Sequence, residues 1–341
     1  MAAIQKTSES TYIFLNISDN TLDDIDRSSH LDNQLNLNSQ PPRYGLGTLE
    51  KLPLEIIHLG LIQLDIQSLT DFQRVNKRAR LITTSIPQYK PILIHAPALL
   101  RGILNIQTAR YFTCQDLYNT LSTAECDTCG DFGGYLYLIT CRRVCFLCFT
   151  EQTDYLPLLR QDIIRKFGLD SKHIASLPRM KSFPGCYSPR GIKCRRRRQT
   201  LFDPSAARRA GIAVHGTIEA METYATEMIL KKLPVYQSRP SLCGRPDGSG
   251  MHVLRPPRVE DPFDAQCCNP RRFMGVMRAP LLRGMMVAPE WGFHCLACKP
   301  HHYGRPLHWR RMYMVDSFRD HVGECGEIVE GKHVPRMKLG E

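Results

Sequence analysis

The sequence predicts an α+β fold that is mainly helical, and three observations support that class. Apolar residues recur at helical spacing between Leu49 and Arg80, and again in the segments 158–167 and 218–233. Residues 135–140 have the alternation of a short strand. Cysteines cluster in C-x-x-C pairs, which indicates that bound metal contributes to the order of the chain.

The bulk composition excludes several classes. A chain of 341 residues with 43% hydrophobic residues is not wholly disordered. No apolar run approaches the roughly 20 residues that cross a bilayer, and the first residues lack the order of a secretory signal. We therefore expect a cytoplasmic or nuclear protein, without membrane association, whose 14 cysteines are mostly reduced. The net charge of +12 is concentrated locally, so it does not by itself define a nucleic-acid-binding fold.

The first 45 residues are rich in Ser, Asn, Gln and Asp and show no sustained period, which predicts a disordered tail. One short apolar patch, Tyr12–Leu15, could be a peptide ligand. Order is expected to begin near Leu49.

The segment 49–80 predicts two helices. Pro53 suits the first turn of the first helix, because its missing N–H has no partner there. Ser68 begins the second helix as a cap, with Asp71 three residues later. Lys77, Arg78 and Arg80 favour its C-terminal end through the helix dipole. An ordinary helical hairpin would have the same periodicity.

A more specific resemblance adds to this pattern. The order Leu52-Pro53-x-Glu55-Ile56, then Leu64-Asp65, Ser68-Leu69 and the segment 75–80 resembles the F-box motif. That family docks a three-helix unit on a Skp-type adaptor and, through it, a cullin ubiquitin ligase. The resemblance implies the same partners here, and a third helix in residues 96–107. The residues predicted to contact the adaptor are Leu52, Pro53, Ile56, Ile57, Leu64, Leu69 and Val75.

Residues 126–149 contain the first cysteine cluster. Two C-x-x-C pairs separated by 15 residues, as in a zinc ribbon, supply four thiolates for a tetrahedral Zn²⁺. Four thiolates leave no open coordination position, so a structural ion is expected. Cys141 could replace one ligand through a Cys141-x3-Cys145 half-site, and Cys114 lies upstream. The predicted ligands are Cys126, Cys129, Cys145 and Cys148.

A second candidate site lies near the C-terminus. Cys295 and Cys298 are followed, after 22 residues, by His321 and Cys325, whose i, i+4 spacing places both on one helical face. This pattern resembles a Cys-Cys-His-Cys zinc finger with an extended loop, and a second structural zinc ion is predicted. Alternative ligands in that loop are His301, His302 and His308.

The middle of the chain predicts little chemistry. The run Arg195–Arg198 lies in a predicted linker and could alternatively serve nuclear import or a nucleic-acid contact. The expected division is a tail (1–45), an F-box and following helix (46–110), a zinc-ribbon-like cluster with a helix (111–185), a basic linker (186–215), a mixed helical and loop region (216–290), a zinc-finger-like segment (291–330) and a tail (331–341).

Together these segments resemble fungal F-box proteins with cysteine-rich regions. The resemblance implies a non-catalytic substrate receptor of an SCF-type ubiquitin ligase, which acts in protein degradation by binding an unidentified protein target. The alternative is a zinc-finger protein that binds nucleic acid or regulates nuclear processes, with the +12 charge and the arginine run in its favour.

Overall fold

The computed structural model describes residues 11–12, 19–22, 42–187, 193–237, 261–263, 269–284, 287–299 and 307–334. These residues form a mixed α+β structure, which confirms the predicted class. The helices are α1 (Leu54–Ile62), α2 (Ile66–Gln73), α3 (Lys77–Thr84), α4 (Tyr89–His95), α5 (Pro97–Asn105), α6 (Cys114–Ser122), α7 (Phe146–Glu151), α8 (Arg160–Phe167), α9 (Ser171–Ala175), α10 (Pro204–His215), α11 (Ile218–Gln237), α12 (Pro270–Met274) and α13 (Val315–Cys325).

The strands are short, and every described pair is antiparallel. Among the described residues, the sheet orders are β1-β10-β11, β3-β2-β9, β4-β8-β5, β6-β7 and β12-β13. The strands are β1 (Thr11–Tyr12), β2 (Tyr135–Tyr137), β3 (Arg142–Val144), β4 (Leu158–Leu159), β5 (Arg179–Lys181), β6 (Gly185–Tyr187), β7 (Lys193–Arg195), β8 (Thr200–Phe202), β9 (Val276–Arg278), β10 (Phe293–Cys295), β11 (Met312–Tyr313), β12 (Glu327–Val329) and β13 (Lys332–Val334).

Helices α1 to α5 form the helical unit, and its first part differs in detail from the predicted hairpin. Asp65, rather than Ser68, caps α2 by accepting the Ser68 N–H at 2.9 Å. Asn76 accepts the Ala79 N–H at 2.8 Å and so begins a separate helix, α3, within the predicted second helix. A helix does lie in residues 96–107, namely α5, which begins at Pro97, but it is the fifth helix of the unit and not the third, because α3 and α4 precede it.

The helical unit shares its core with the cysteine-rich region instead of closing a core of its own. Ile66 and Leu69 are fully buried in the same hydrophobic cluster as Tyr135, Val144 and Phe149. Around the central sheet β3-β2-β9, aromatic rings pack edge to face, with Tyr135 and Phe149 centroids 5.1 Å apart. The predicted strand near residue 135 is therefore confirmed, and it lies at the centre of the main core.

A second, smaller core lies between the sheet β4-β8-β5 and helices α8, α10 and α11. The predicted helix 158–167 is confirmed from Arg160, and Gly168 ends it with a φ of +62°. The predicted basic linker is only partly a linker, because it contains β7, β8 and the helix α10. Cys186 on β6 is disulfide-bonded, whereas Cys114, Cys141 and the cysteines of the two predicted metal sites are free, in line with the expectation that most cysteines are reduced.

The N-terminal segment also departs from the predicted disordered tail in its described residues. Thr11 and Tyr12 form β1, which pairs with Cys295 and His294 of β10. Further along, Asp19 and Leu22 are buried in the body of the protein. No helix within the described ranges is both long and apolar enough to cross a membrane.

Arg143 joins three segments of the main core. Its buried guanidinium donates hydrogen bonds to carbonyl oxygens of Thr120 and Leu121 at the end of α6, and of Ala279 and Pro280 after β9. A buried carbonyl that loses its donor costs free energy, because no water replaces the bond.

We therefore expect Arg143→Leu to lower the free energy of unfolding by about 3 kcal/mol. Urea denaturation followed by circular dichroism measures the change. The matched control is Arg196→Leu, because Arg196 is exposed, and it should shift stability by less than about 0.5 kcal/mol. Equal stability of the two variants would contradict the role assigned to Arg143.

Candidate metal centres

The structure brings the four predicted ligands of the first cluster together. The sulfur atoms of Cys126, Cys129, Cys145 and Cys148 all lie within 4.8 Å of one another. The Sγ atoms of Cys129 and Cys145 are 3.7 Å apart. A tetrahedral ion with metal–sulfur bonds of about 2.3 Å requires sulfur atoms about 3.8 Å apart. The first cluster could therefore hold a metal ion with little rearrangement.

Local backbone structure places these thiols. The first pair lies on a tight turn in which the Cys126 N–H donates to the Asp131 carbonyl oxygen at 2.6 Å, and Gly130 has a φ of +76°. In the second pair, Cys145 caps α7, and its sulfur accepts the N–H of Cys148 at 3.3 Å. The β2–β3 hairpin joins the two pairs.

The two alternative cysteines lie outside the first cluster. Cys141 occupies the β2–β3 turn with a φ of +53°, and its thiol lies 3.7 Å from the Thr120 hydroxyl. Cys114 begins α6 and is fully buried. Burial raises the pKa of each thiol to about 12, so both stay protonated at neutral pH.

The second cluster consists of Cys295, Cys298, His321 and His333, whose ligand atoms lie within 4.8 Å of one another. The Sγ of Cys298 is 3.4 Å from His321 Nε2 and 3.5 Å from His333 Nε2. The Sγ of Cys295 is 3.4 Å from His333 Nε2. Sulfur and nitrogen ligands of a tetrahedral ion lie about 3.6 Å apart, so this cluster could also hold a metal ion.

Both histidines direct Nε2 into the second cluster because Nδ1 is engaged elsewhere. His333 Nδ1 lies 2.9 Å from the Gly326 carbonyl oxygen, which can only accept, so Nδ1 carries the proton. His321 Nδ1 lies 3.1 Å from the Tyr313 hydroxyl. Such partners orient both rings, and for His333 the carbonyl also fixes the tautomer, which leaves its Nε2 with a lone pair for a metal ion.

His333 replaces the predicted ligand Cys325 in this set. Cys325 lies at the end of α13, where its Sγ is 3.6 Å from Nδ1 of His321, the ring nitrogen that faces away from the cluster. The alternative ligand His308 has its ring centroid 6.4 Å from that of His321 and is not in the cluster. His301 and His302 lie outside the described residues.

The thiols of each cluster share negative charge unequally. In the first cluster, hydrogen bonds from Cys145 and Cys148 lower the pKa of Cys126. In the second, the hydrogen bond from Cys298 lowers the pKa of Cys295 to about 4. The pKa values of Cys145 and Cys298 are raised, because each thiol hydrogen-bonds the thiolate of its neighbour, and burial and charge repulsion add to the effect. A bound cation removes this conflict by stabilising all the thiolates together.

Sequence reasoning missed His333 because it assigned residues 331–341 to a tail. The residue lies on β13, which pairs with β12 across the turn Glu330-Gly331. Both turn residues have positive φ values, +49° and +74°. A polar-Gly dipeptide between two short apolar stretches, Ile328-Val329 and Val334, is a hairpin signal that could have revealed the ligand.

The residues predicted to bind an adaptor divide into two groups. Ile57 and Leu69 are buried, and Leu64 packs against the main core, so these three stabilise the helical unit itself. The other predicted contact residues, namely Leu52, Pro53, Ile56 and Val75, are exposed.

Comparisons with known proteins give no match for this chain. No family model fits it, and neither a curated protein nor a solved structure matches it.

The ligand assignment of the second cluster can be tested with one pair of substitutions. We expect His333→Ala to lose one of two bound metal ions under competition with a chelator, because it removes a nitrogen ligand. The control Cys325→Ser should retain both, because its sulfur lies outside the coordination set. Elemental analysis of the dialysed proteins measures the stoichiometry. Loss of metal from Cys325→Ser alone would instead favour the Cys-Cys-His-Cys set.

The hydroxyl of Tyr313 orients His321, and Tyr313→Phe removes only that hydroxyl. We expect the affinity of the second cluster for metal to fall by about 10- to 100-fold, as is typical for loss of a partner of a metal-bound imidazole. Competition with a chromophoric chelator measures the affinity. Tyr44→Phe is the control, because Tyr44 is 76% exposed. Unchanged affinity in Tyr313→Phe would show that the ring is oriented by other contacts.

Proposed function

We propose that this protein is an adaptor-binding substrate receptor of a cullin-type ubiquitin ligase. It would act in ubiquitin-dependent degradation by binding both an adaptor and a protein target. The observation that carries the proposal is the exposed apolar surface of the helical unit, in a segment whose sequence order resembles the F-box. The mechanism is proximity: a receptor raises the effective concentration of its target near the ligase and performs no covalent step.

The two faces of α1 support this function. Ile57 and Leu61, four residues apart, are buried against the core, whereas Ile56 and Leu59, three residues apart, are 50% and 63% exposed. The helix is therefore apolar on both sides, although one side suffices to hold it in the core. An exposed apolar helical face of this kind is typical of a protein–protein interface.

Neighbouring residues extend this exposed surface. Leu52 precedes α1, and Val75, in the turn between α2 and α3, is 67% exposed. Leu49 and Leu54 are also exposed, so apolar side chains are frequent on this part of the helical unit. A Skp-type adaptor that covers them would gain roughly 25 cal/mol for each Å² of apolar area removed from water.

We further propose that both metal ions are zinc and that their role is structural. Four thiolates, or two thiolates with two imidazoles, are ligand sets that favour zinc. Each set supplies four protein ligands, which leaves no position for a substrate or an activated water. The ions would hold the region that presents the target, in the cytoplasm or the nucleus.

Nucleic-acid binding is a second candidate function, favoured by one observation. Arg195, Arg196, Arg197 and Arg198 are all exposed. Affinity for DNA or RNA that falls steeply with salt would support this function, because neutralised phosphates release counterions. Conversion of all four arginines to glutamine should abolish such binding and leave adaptor binding unchanged.

The adaptor proposal predicts that Ile56→Glu abolishes binding of a purified Skp-type adaptor in a pull-down or by calorimetry. A charge in a dry apolar interface costs several kcal/mol, which corresponds to at least about a hundredfold loss in affinity. Leu230→Glu is the matched control, because Leu230 on α11 is 59% exposed and lies outside the helical unit. Both variants should remain folded. Adaptor binding by Ile56→Glu at wild-type affinity would rule out the proposed surface.

A further inference from the structure

Residues 19–22 lie in a groove formed by segments that are distant in sequence. The groove is lined by Gly102 of α5, Tyr135 of β2, Met277 and Arg278 of β9, and Arg310 at the end of a short 3-10 helix before β11. The lining residues belong to the helical unit, the central sheet and the C-terminal region. Residues 19–22 contribute three buried side chains to the groove, those of Asp19, Thr21 and Leu22, of which Asp19 and Leu22 have contacts that indicate specificity.

The acidic anchor is Asp19, whose side chain is fully buried. Its carboxylate accepts a hydrogen bond from the Tyr135 hydroxyl at 2.6 Å and forms an ion pair with Arg310. Arg278 contributes further positive charge near the carboxylate. A buried carboxylate is stable only with such partners, so this end of the groove is specific for an anionic side chain.

The apolar anchor is Leu22, which is 1% exposed. It packs beside Gly102, where a Cβ atom would lie 3.4 Å from Leu22 Cδ2 and 2.2 Å from Met277 Sδ. The absence of a side chain at Gly102 therefore makes room for both residues. Between the anchors, Asn20 has a φ of +52°, a left-handed conformation that asparagine tolerates better than most residues.

A third contact is made by backbone. The strand β1 pairs antiparallel with β10, which carries the metal ligand Cys295. The N-terminal region thus combines strand addition with two buried side-chain anchors. Strand addition and specific pockets are recurrent features of the way proteins recognise extended peptides.

We propose that this groove is a peptide-recognition site, which the chain's own residues 19–22 occupy in cis. Its external ligand is a segment of a partner protein in which an acidic residue is followed, three positions later, by a large aliphatic residue. The cis segment then acts as an internal competitor that the partner must displace. Peptide binding is independent of the adaptor-binding surface, whereas the identity of the partner as a degradation target rests on the proposed function.

The buried ion pair favours recognition over simple core packing. An apolar group at position 19 of an ordinary core would give similar or greater stability, because burying two charges costs desolvation. A groove with buried donors instead discriminates strongly, since a ligand without the carboxylate would leave a buried cation without its counter-ion. Discrimination of this kind is useful for selecting a partner.

The test uses the full-length protein and a fluorescein-labelled peptide of residues 9–24, with fluorescence anisotropy as the readout. The variant Asp19→Asn with Leu22→Ala weakens both cis anchors and opens the groove. We expect it to bind the peptide at least ten-fold more tightly than the wild type does. The same peptide carrying both substitutions should bind the open variant at least ten-fold more weakly. Arg310→Gln in the open variant should abolish binding while helical content and bound metal stay unchanged.

Three results would overturn the proposal. The first is no peptide binding by an open variant that keeps its helical content and metal. The second is equal binding by the wild type and the open variant, or of the intact and substituted peptides, which would indicate an unrelated surface. The third is unfolding of both the double variant and Leu22→Ala alone. The proposal requires that the protein stay folded when residues 19–22 leave the groove. Adaptor binding by the open variant, measured separately, distinguishes failure of this proposal from failure of the proposed function.

Discussion

Two adjacent arginines, Arg310 and Arg311, hold the two metal clusters and the N-terminal segment in one body. Arg310 pairs with Asp19 and lies over the ring of Phe146, with the guanidinium carbon 3.8 Å from the ring centroid. Arg311 pairs with Asp131, two residues after a ligand of the first cluster. Both arginines immediately precede β11, which pairs with the β10 strand that carries Cys295. The ligand sets are therefore not independent modules.

Tight packing strengthens the connection between the clusters. A Cβ atom on Gly134 would lie 2.4 Å from Met312 Sδ, and one on Gly292 would lie 2.6 Å from the ring of Phe132. Only glycine lets the loop of the first cluster approach β10 and β11 so closely. A metal ion bound at one cluster would thus stabilise the surface against which the other cluster folds. The helical unit is continuous with the same core, which supports the helix that carries the exposed apolar face.

Local chemistry was predictable from the sequence, whereas long-range pairing was not. The C-x-x-C spacing identified Cys126, Cys129, Cys145 and Cys148, because each pair needs only a tight turn. Helices α5, α8 and α11 followed from periodicity and from Pro97 and Gly168. Nothing in the local pattern indicates that β9 pairs with β2, since the two strands are far apart in the chain. His333 was missed because its hairpin is short, and the Asp19–Arg310 pair because a polar segment looks like a tail.

The pairing of Asp19 with Arg310 spans 291 positions of the sequence, and this span has a consequence for synthesis. While the ribosome is still translating, the early helices can form, but the groove that receives residue 19 does not yet exist. The central sheet also waits for β9, and the second cluster waits for residue 333. Contacts between residues so distant in sequence form late and slowly. The nascent chain therefore exposes apolar surface and unmetallated thiols until translation is nearly complete, and chaperones and the local metal supply would govern its yield.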